Sequence, residues 1–202
     1  MDTTDSPDLV NLDTSRPIWD QFFSVAPLVV VGTKEEERYN LAPKHMAFPL
    51  GWDNYFAFVC TPRHETYHSV LKTGEFTVSY PRPTQVVLAS LTAEPREDLD
   101  EPKPMLSVMP TFPASEVDGV FLEDGYLFLE CRLDKVLDGF SLNSLIVGRI
   151  VAAHVHPDAL RSADQDDQDL IYQSPLLAYL SPGRYATVKE SYAFPFPADF
   201  KR

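Results

Sequence analysis

Residues 55–80 read YFAFVCTPRHETYHSVLKTGEFTVSY, and this stretch decides the fold. Its first and last six residues are rich in aromatic and β-branched side chains, which favour strands. Between them, Tyr67, Val70 and Leu71 recur at helical spacing, and Gly74 is a suitable stop for the helix. The stretch therefore predicts a strand, a helix and a second strand in succession.

The same strand pattern recurs outward along the chain. Eighteen prolines argue against a helical bundle, and the apolar residues fall in short runs separated by Pro, Gly, Asp and Asn. The predicted strands are 28–33, 55–60, 75–80, 125–137, 145–156 and 185–189. A second helix is predicted over 84–91, followed by a long surface excursion over 92–116. Six strands are enough to close a barrel, so the expected fold is mainly β, a β-barrel with a few helices.

The length of the chain fits a single core. We expect one domain over residues 1–202, because 202 residues do not require a second hydrophobic core. The two ends, 1–16 and 191–202, are interpreted as arms that lie outside this core.

Charge and cysteine content narrow the possible partners and the compartment. Lys and Arg total 17 against 30 Asp and Glu, a net charge of −13, which would repel a phosphate backbone. We therefore expect no nucleic-acid partner. No apolar run approaches the length of a bilayer span and the start is acidic, so no membrane association and a cytoplasmic location are expected. Cys60 and Cys131 each lie in an apolar run, which favours two buried free thiols.

The spacing of the eight glycines argues against several common enzyme classes, namely dinucleotide-fold dehydrogenases, nucleoside triphosphatases and α/β-hydrolases. None are spaced as in the dinucleotide-binding G-x-G-x-x-G motif or in a P-loop, and no G-x-S-x-G occurs. Any cofactor is therefore expected to bind without a glycine-rich phosphate loop.

One motif matches the zinc-peptidase signature H-E-x-x-H, with His64, Glu65 and His68. A zinc metallohydrolase is therefore one alternative. Its position argues against it, because the motif lies in the first turns of the predicted helix, where free amides and the helix dipole disfavour a cation. We predict no metal site.

The same helix start favours an anion. Thr61, Arg63 and Thr66 offer hydroxyls and a guanidinium next to free backbone amides, which suits a phosphate monoester. The alternative is that Thr61 only caps the helix, with Pro62 at its first position, while Arg63 is solvated. The residues alone leave both interpretations open.

An ordered set of short motifs resembles the flavin-reductase-like domain, a family that includes flavoredoxins. The motifs are PLVVVGT at 27–33, YNLAP at 39–43, PRHET at 62–66, TGEFTVS at 73–79, LEC at 129–131, LIVGRIV at 145–151 and PLLAYL at 175–180. The resemblance covers most of residues 20–190. It implies an FMN-binding split barrel of Greek-key-like connectivity that pairs as a homodimer, with the cofactor at or near the subunit interface.

The resemblance also implies which residues hold FMN. Asn40, Ala42 and Pro43 would line the isoalloxazine ring, and a second group of residues would hold the phosphate. This second group is Thr61, Arg63, His64 and Thr66.

Two residues depart from the family pattern, which commonly has Ser two residues after the Ala-Pro pair. Here that position is His45, preceded by Lys44. His45 is the candidate catalytic residue, because it could hydrogen-bond the flavin or lie in a nicotinamide pocket, and Lys44 is a further candidate cofactor ligand. The expected activity is hydride transfer from NAD(P)H to FMN. The alternative is a flavin-binding protein or electron carrier without catalysis of its own.

Overall fold

The computed structural model describes residues 9–95 and 103–197, and these ranges are built mainly of strands. The strands are β1 Ser24–Pro27, β2 Val29–Glu35, β3 Arg38–Lys44, β4 Ala47–Pro49, β5 Tyr55–Cys60, β6 Glu75–Tyr80, β7 Thr111–Pro113, β8 Val120–Leu122, β9 Leu127–Phe140, β10 Asn143–Val155, β11 Leu176–Ser181 and β12 Arg184–Val188. The α-helices are α1 Glu65–Thr73, α2 Val86–Leu91 and α3 Asp167–Gln173, and short 3₁₀ turns cover Pro83–Gln85, Pro104–Ser107 and Pro157–Ala159.

Seven strands form one antiparallel sheet in the order β3-β2-β6-β9-β10-β5-β4. Its two edges, β3 and β4, are separated along the chain only by His45 and Met46. Because the edges must meet at this corner, the sheet curls into a half-barrel, and the predicted split-barrel fold is confirmed. A smaller sheet, β1-β11-β12, lies beside it.

The large sheet separates two apolar clusters. Val29 and Val31 of β2 point into the barrel and pack with Phe56, Phe58 and neighbouring core side chains. The alternate residue, Val30, packs on the other face with a second cluster that includes residues of α2. Strand β2 is therefore buried on both faces, which explains its uninterrupted apolar run.

The strand predictions are confirmed in part. Strands β5 and β6 begin and end where predicted, and β9 and β10 form the expected long hairpin, with Asn143 opposite Phe140. Strands β1, β3, β4, β7, β8 and β11 were not predicted. In the case of β3, the sequence RYNLAPK combines charged ends with Asn and Pro, which are typical of loops, and only pairing with β2 makes it a strand.

The start of α1 differs from the prediction, whereas its end is confirmed. The helix begins at Glu65, and residues 61–64 form a turn in which the His64 amide donates to the Thr61 carbonyl at 3.0 Å. Thr61 is therefore not the helix cap; its hydroxyl accepts from the Arg63 amide at 3.4 Å. Gly74 ends the helix in the left-handed region, with φ of 71°.

The segment after α2 is not wholly a surface excursion. In its described part, Met109 is buried in the second apolar cluster, the one that contains Val30 on the outer face of the large sheet. The buried Lys103 ammonium donates to the carbonyl oxygens of Leu41 and Thr92 at 2.9 and 2.7 Å. The prediction for 96–102 lies outside the described residues.

The predicted arms are described over 9–16 and 191–197, where most side chains are exposed. The rest of each arm, 1–8 and 198–202, lies outside the described residues. Within the described chain, no helix combines the length and the apolar character that crossing a membrane requires.

Candidate flavin site

Three segments converge at one end of the half-barrel. Ser144, just after the β9–β10 turn, pairs with Cys60 at the end of β5, and the Val59 amide donates to the Met46 carbonyl at 2.8 Å. This pairing brings the β3–β4 corner, the β5–α1 loop and the hairpin tip together. A cavity of about 340 Å³ opens between the last two segments, with Thr61, Arg63, Tyr67 and residues 138–139 and 141–144 in its wall.

The predicted ring-lining residues lie on β3, but not all on one face. Register pairs Asn40 with Thr33, Ala42 with Val31, and Lys44 with Val29, so Asn40, Ala42 and Lys44 share the inner face. Pro43 pairs with Val30 and therefore lies on the outer face. Of the three residues expected to line the ring, Asn40 and Ala42 point inward and Pro43 points outward.

A buried polar pair occurs where Asn40 faces Thr33. Among the described residues, neither the Asn40 amide oxygen Oδ1 nor the Thr33 hydroxyl has a hydrogen-bond partner, although both atoms are buried. A buried polar atom without a partner is costly. The pair offers an acceptor and a donor to a polar ligand edge, which fits the hydrogen-bonding chemistry of a flavin. Thr33 was not singled out from the sequence, because only the register reveals its position opposite Asn40.

Lys44 is unusual for a lysine, with only 9% of its surface exposed. Its ammonium lies 3.6 Å from the Cys60 sulfur, its only hydrogen-bond partner in residues 9–95 and 103–197. Burial raises the pKa of the Cys60 thiol, so the sulfur stays protonated and neutral near pH 7. The Lys44 charge is therefore not balanced by this partner. Cys60 was not predicted to belong to the site.

His45 lies at the β3–β4 corner and stacks on Tyr179 of β11, with ring centroids 4.6 Å apart and planes inclined by 33°. Burial, and after it the charge of Lys44, lowers the pKa of His45, so its imidazole is neutral at pH 7. A neutral imidazole can both donate and accept a hydrogen bond. The contact with Tyr179 joins the smaller sheet to the corner, and no local sequence pattern predicts it.

The four predicted phosphate residues are close in sequence but differ in exposure. Arg63 and His64 are exposed and Thr61 is half-buried, whereas Thr66 is 2% exposed and lies on the buried face of α1. Burial, followed by the charges of Lys44 and Lys103, lowers the pKa of His64. The contact with Cys60 places the Lys44 ammonium next to the start of the predicted phosphate loop, whereas Thr66 is turned inward.

The H-E-x-x-H motif is not displayed along one helix. His64 precedes α1 with an extended backbone, and the His68 Nε2 atom lies 2.7 Å from the Pro62 carbonyl oxygen. One ring nitrogen of His68 is therefore hydrogen-bonded to the backbone of the loop before α1. In the described part of the chain, no three His, Cys, Asp or Glu side chains are grouped as a metal site requires.

Comparison with known families agrees with this geometry. The profile of the flavin reductase like domain matches residues 24–188, most of the chain. The protein belongs to the flavin reductase like domain family. No curated protein matched the sequence.

Solved structures of similar fold include several flavin proteins. The flavoredoxin of Desulfovibrio vulgaris (Miyazaki F) is 21% identical, with a TM-score of 0.73 over 94% of this chain and 99% of that chain. An FMN-binding protein from Thermus thermophilus is 25% identical, with a TM-score of 0.69 over 85% of this chain and 91% of that chain. The 2-nitrobenzoate 2-nitroreductase of Pseudomonas fluorescens is 17% identical, with a TM-score of 0.72 over 88% of this chain and 87% of that chain.

Proposed function

We propose that this family member binds FMN and transfers a hydride to it from NAD(P)H, as a reductase of the flavin-reductase type. The observation that carries the proposal is the placement of Asn40 and Lys44 on one face of β3, with the Lys44 ammonium 3.6 Å from the sulfur of Cys60, the residue just before the 61–64 turn. These groups provide a buried acceptor, a buried cation and a turn that carries Thr61, Arg63 and His64. Bound FMN would accept the hydride and pass electrons onward.

The protein's own residues bind and orient. Asn40 would hydrogen-bond the polar edge of the ring, and Ala42 and Pro43 would contact it through the backbone. Thr61, Arg63 and His64 would hold the phosphate at the exposed mouth of the site. His45, held against Tyr179, would orient the ring or the nicotinamide, and Thr66 would support the loop from its buried side.

We further propose that the protein works as a homodimer. Met46, Phe48, Leu50 and Trp52, at every second position from the corner onward, are exposed, and Trp52 is 92% exposed. The hairpin tip adds exposed apolar side chains near the same end, Phe140 and Leu142. Apolar surface concentrated beside a ligand site is typical of a protein interface. Light scattering should give twice the chain mass of 22.8 kDa; a monomer at micromolar concentration would contradict the proposal.

A cytoplasmic location is part of the proposal. Both cysteines are free and buried, which suits a reducing compartment. Localisation of a tagged chain by fractionation would test it.

Anaerobic titration tests the proposed activity. The purified protein is loaded with FMN, and NADH or NADPH is added while absorbance near 450 nm is followed. Bleaching that depends on the protein supports a reductase. FMN binding without bleaching by either nucleotide would instead favour the electron carrier or flavin-binding alternative. Absence of FMN binding would overturn both.

A further inference from the structure

The charge of Lys44 has no counter-charge on the protein in the described residues. No carboxylate forms an ion pair with its ammonium there, and its hydrogen-bond partner is a protonated thiol. A buried charge without an opposite charge is unfavourable, so such groups usually face a ligand or a partner of opposite sign. The whole chain carries a net charge of −13, so a buried cation that forms no ion pair within the described residues is unexpected.

The ammonium lies 3.6 Å from the sulfur of Cys60, the residue just before the 61–64 turn that leads into α1. Burial raises the pKa of Cys60, but Lys44 and the backbone amide of Tyr67, in the first turn of α1, act on the same sulfur in the opposite direction. Lys44 also acts on His64, the residue before the helix. Lys44, on the inner face of β3, therefore lies beside the residue that leads into this turn, whereas Arg63 within the turn is exposed.

The position of Lys44 on β3 separates it from the predicted ring contact. Asn40 and Lys44 lie on the same face, four residues apart, which corresponds to about 13 Å along a strand. A ligand that contacts Asn40 with its ring would thus extend along β3 to reach Lys44 with its other end. In FMN, the other end is the phosphate.

We propose that Lys44 is a phosphate-binding residue of this site, and that Lys44 and Arg63 contact one phosphomonoester from opposite sides. This inference rests on the proposed function, because it assigns one part of the FMN molecule to one residue. Cys60 is a positioning residue that holds the lysine without neutralising it. A site built this way selects phosphorylated flavin over riboflavin.

The test measures binding of FMN and of riboflavin to the apoprotein by quenching of flavin fluorescence. Lys44→Met keeps the length of the side chain and removes the charge. We expect it to raise the Kd for FMN about 10- to 100-fold, as the loss of a charge-assisted phosphate contact does, and to leave the Kd for riboflavin within about twofold. Inorganic phosphate should compete with FMN on the wild-type protein and much less on the variant.

Two comparisons separate a local effect from a general one. Lys72→Met makes the same charge change at the exposed far end of α1, where Lys72 pairs with Glu36 at 3.7 Å, and should leave both Kd values unchanged. Thermal unfolding of apo Lys44→Met should occur at the wild-type temperature or above, because an unbalanced buried charge has been removed. If Lys44→Met does not fold, Lys44→Gln takes its place with the same expectations.

The outcomes distinguish this inference from the proposed function. Equal weakening of FMN and riboflavin would overturn the inference and place Lys44 at the ring, while flavin binding itself would stand. An unchanged Kd for FMN in the variant would also overturn it. If the wild-type protein binds neither flavin, the proposed function fails before the role of Lys44 is in question.

Discussion

The Glu130 carboxylate accepts hydrogen bonds from both the hydroxyl of Ser115, at 2.7 Å, and the backbone amide of the same residue, at 3.0 Å. The amides of Glu116 and Val117 donate to it as well, at 2.6 and 3.0 Å. The Glu130 side chain is fully buried. One carboxylate on β9 therefore holds the whole 115–117 turn against the sheet.

Replacing this carboxylate should destabilise the fold. Glu130→Gln keeps the shape but places an NH₂ group among donors, so we expect the free energy of unfolding to fall by about 3 kcal/mol. Chemical denaturation measures the change. Glu116→Gln is the matched control, because the Glu116 side chain is exposed and only its backbone amide takes part. A loss below about 1 kcal/mol in Glu130→Gln would contradict the expectation.

The same carboxylate should make stability depend on pH in the acid range. Burial alone would raise the pKa of Glu130, but the amides of Glu116 and Ser115 outweigh it and lower the pKa to about 2. A lowered pKa in the folded state stabilises the fold above the unfolded value near 4.5 and loses this effect as pH falls towards 2. The stability difference between wild type and Glu130→Gln should therefore be constant from pH 7 to about 5 and shrink below it. A difference independent of pH down to about 2.5 would contradict this assignment.

Gly32 on β2 should not tolerate a side chain. It lies directly opposite Thr77 of β6, and an added Cβ would collide with the Thr77 hydroxyl and the Val120 carbonyl. These two groups are hydrogen-bonded to each other at 2.6 Å. We expect Gly32→Ala to cost about 1–3 kcal/mol of unfolding free energy. In the double variant with Thr77→Ala the loss should be smaller than the sum of the two single losses, and additive losses would argue against the collision.

His45 should contribute to turnover through its ring nitrogens and not only through its stacking on Tyr179. His45→Phe keeps an aromatic ring against Tyr179 and removes both nitrogens. If His45 hydrogen-bonds the flavin or the nicotinamide, kcat/KM for NAD(P)H should fall about fivefold, as the loss of one neutral hydrogen bond predicts. His45→Ala should cost more, because it also removes the stack. Equal kcat/KM for wild type and His45→Phe would limit His45 to a packing role.

Much of the barrel can be predicted from local sequence patterns. Strand β3 is an exception, because its local sequence does not predict a strand. Strand β5 ends at a Pro-containing turn, and strand β6 begins directly after Gly74. The end of β5 and the start of β6 could therefore be predicted. Strand β3 could not be, because the turn before it has Glu36 in the left-handed region, with φ of 52°, in place of the Gly, Asn or Asp that usually marks a hairpin.

In the candidate site, too, features formed by neighbouring residues could be predicted, whereas contacts between distant residues could not. The anion site at residues 61–66 is predicted from residues that are neighbours along the chain. The contacts Lys44 to Cys60 and His45 to Tyr179 join residues 16 and 134 positions apart. Such contacts depend on strand order and on closure of the half-barrel, which no local pattern contains. Thr33 could not be predicted as a site residue for the same reason, because only the β2–β3 register places it opposite Asn40.

The β3–β4 corner makes the candidate site depend on closure of the sheet. These two strands are neighbours in sequence yet occupy opposite edges of the sheet, with β2, β6, β9, β10 and β5 between them. The surroundings of the corner depend on the pairing of residues 144–149 with residues 55–60, which are far apart along the chain. A flavin site built at this corner would therefore require the closed sheet, because its parts come from residues 38–60 and 138–144.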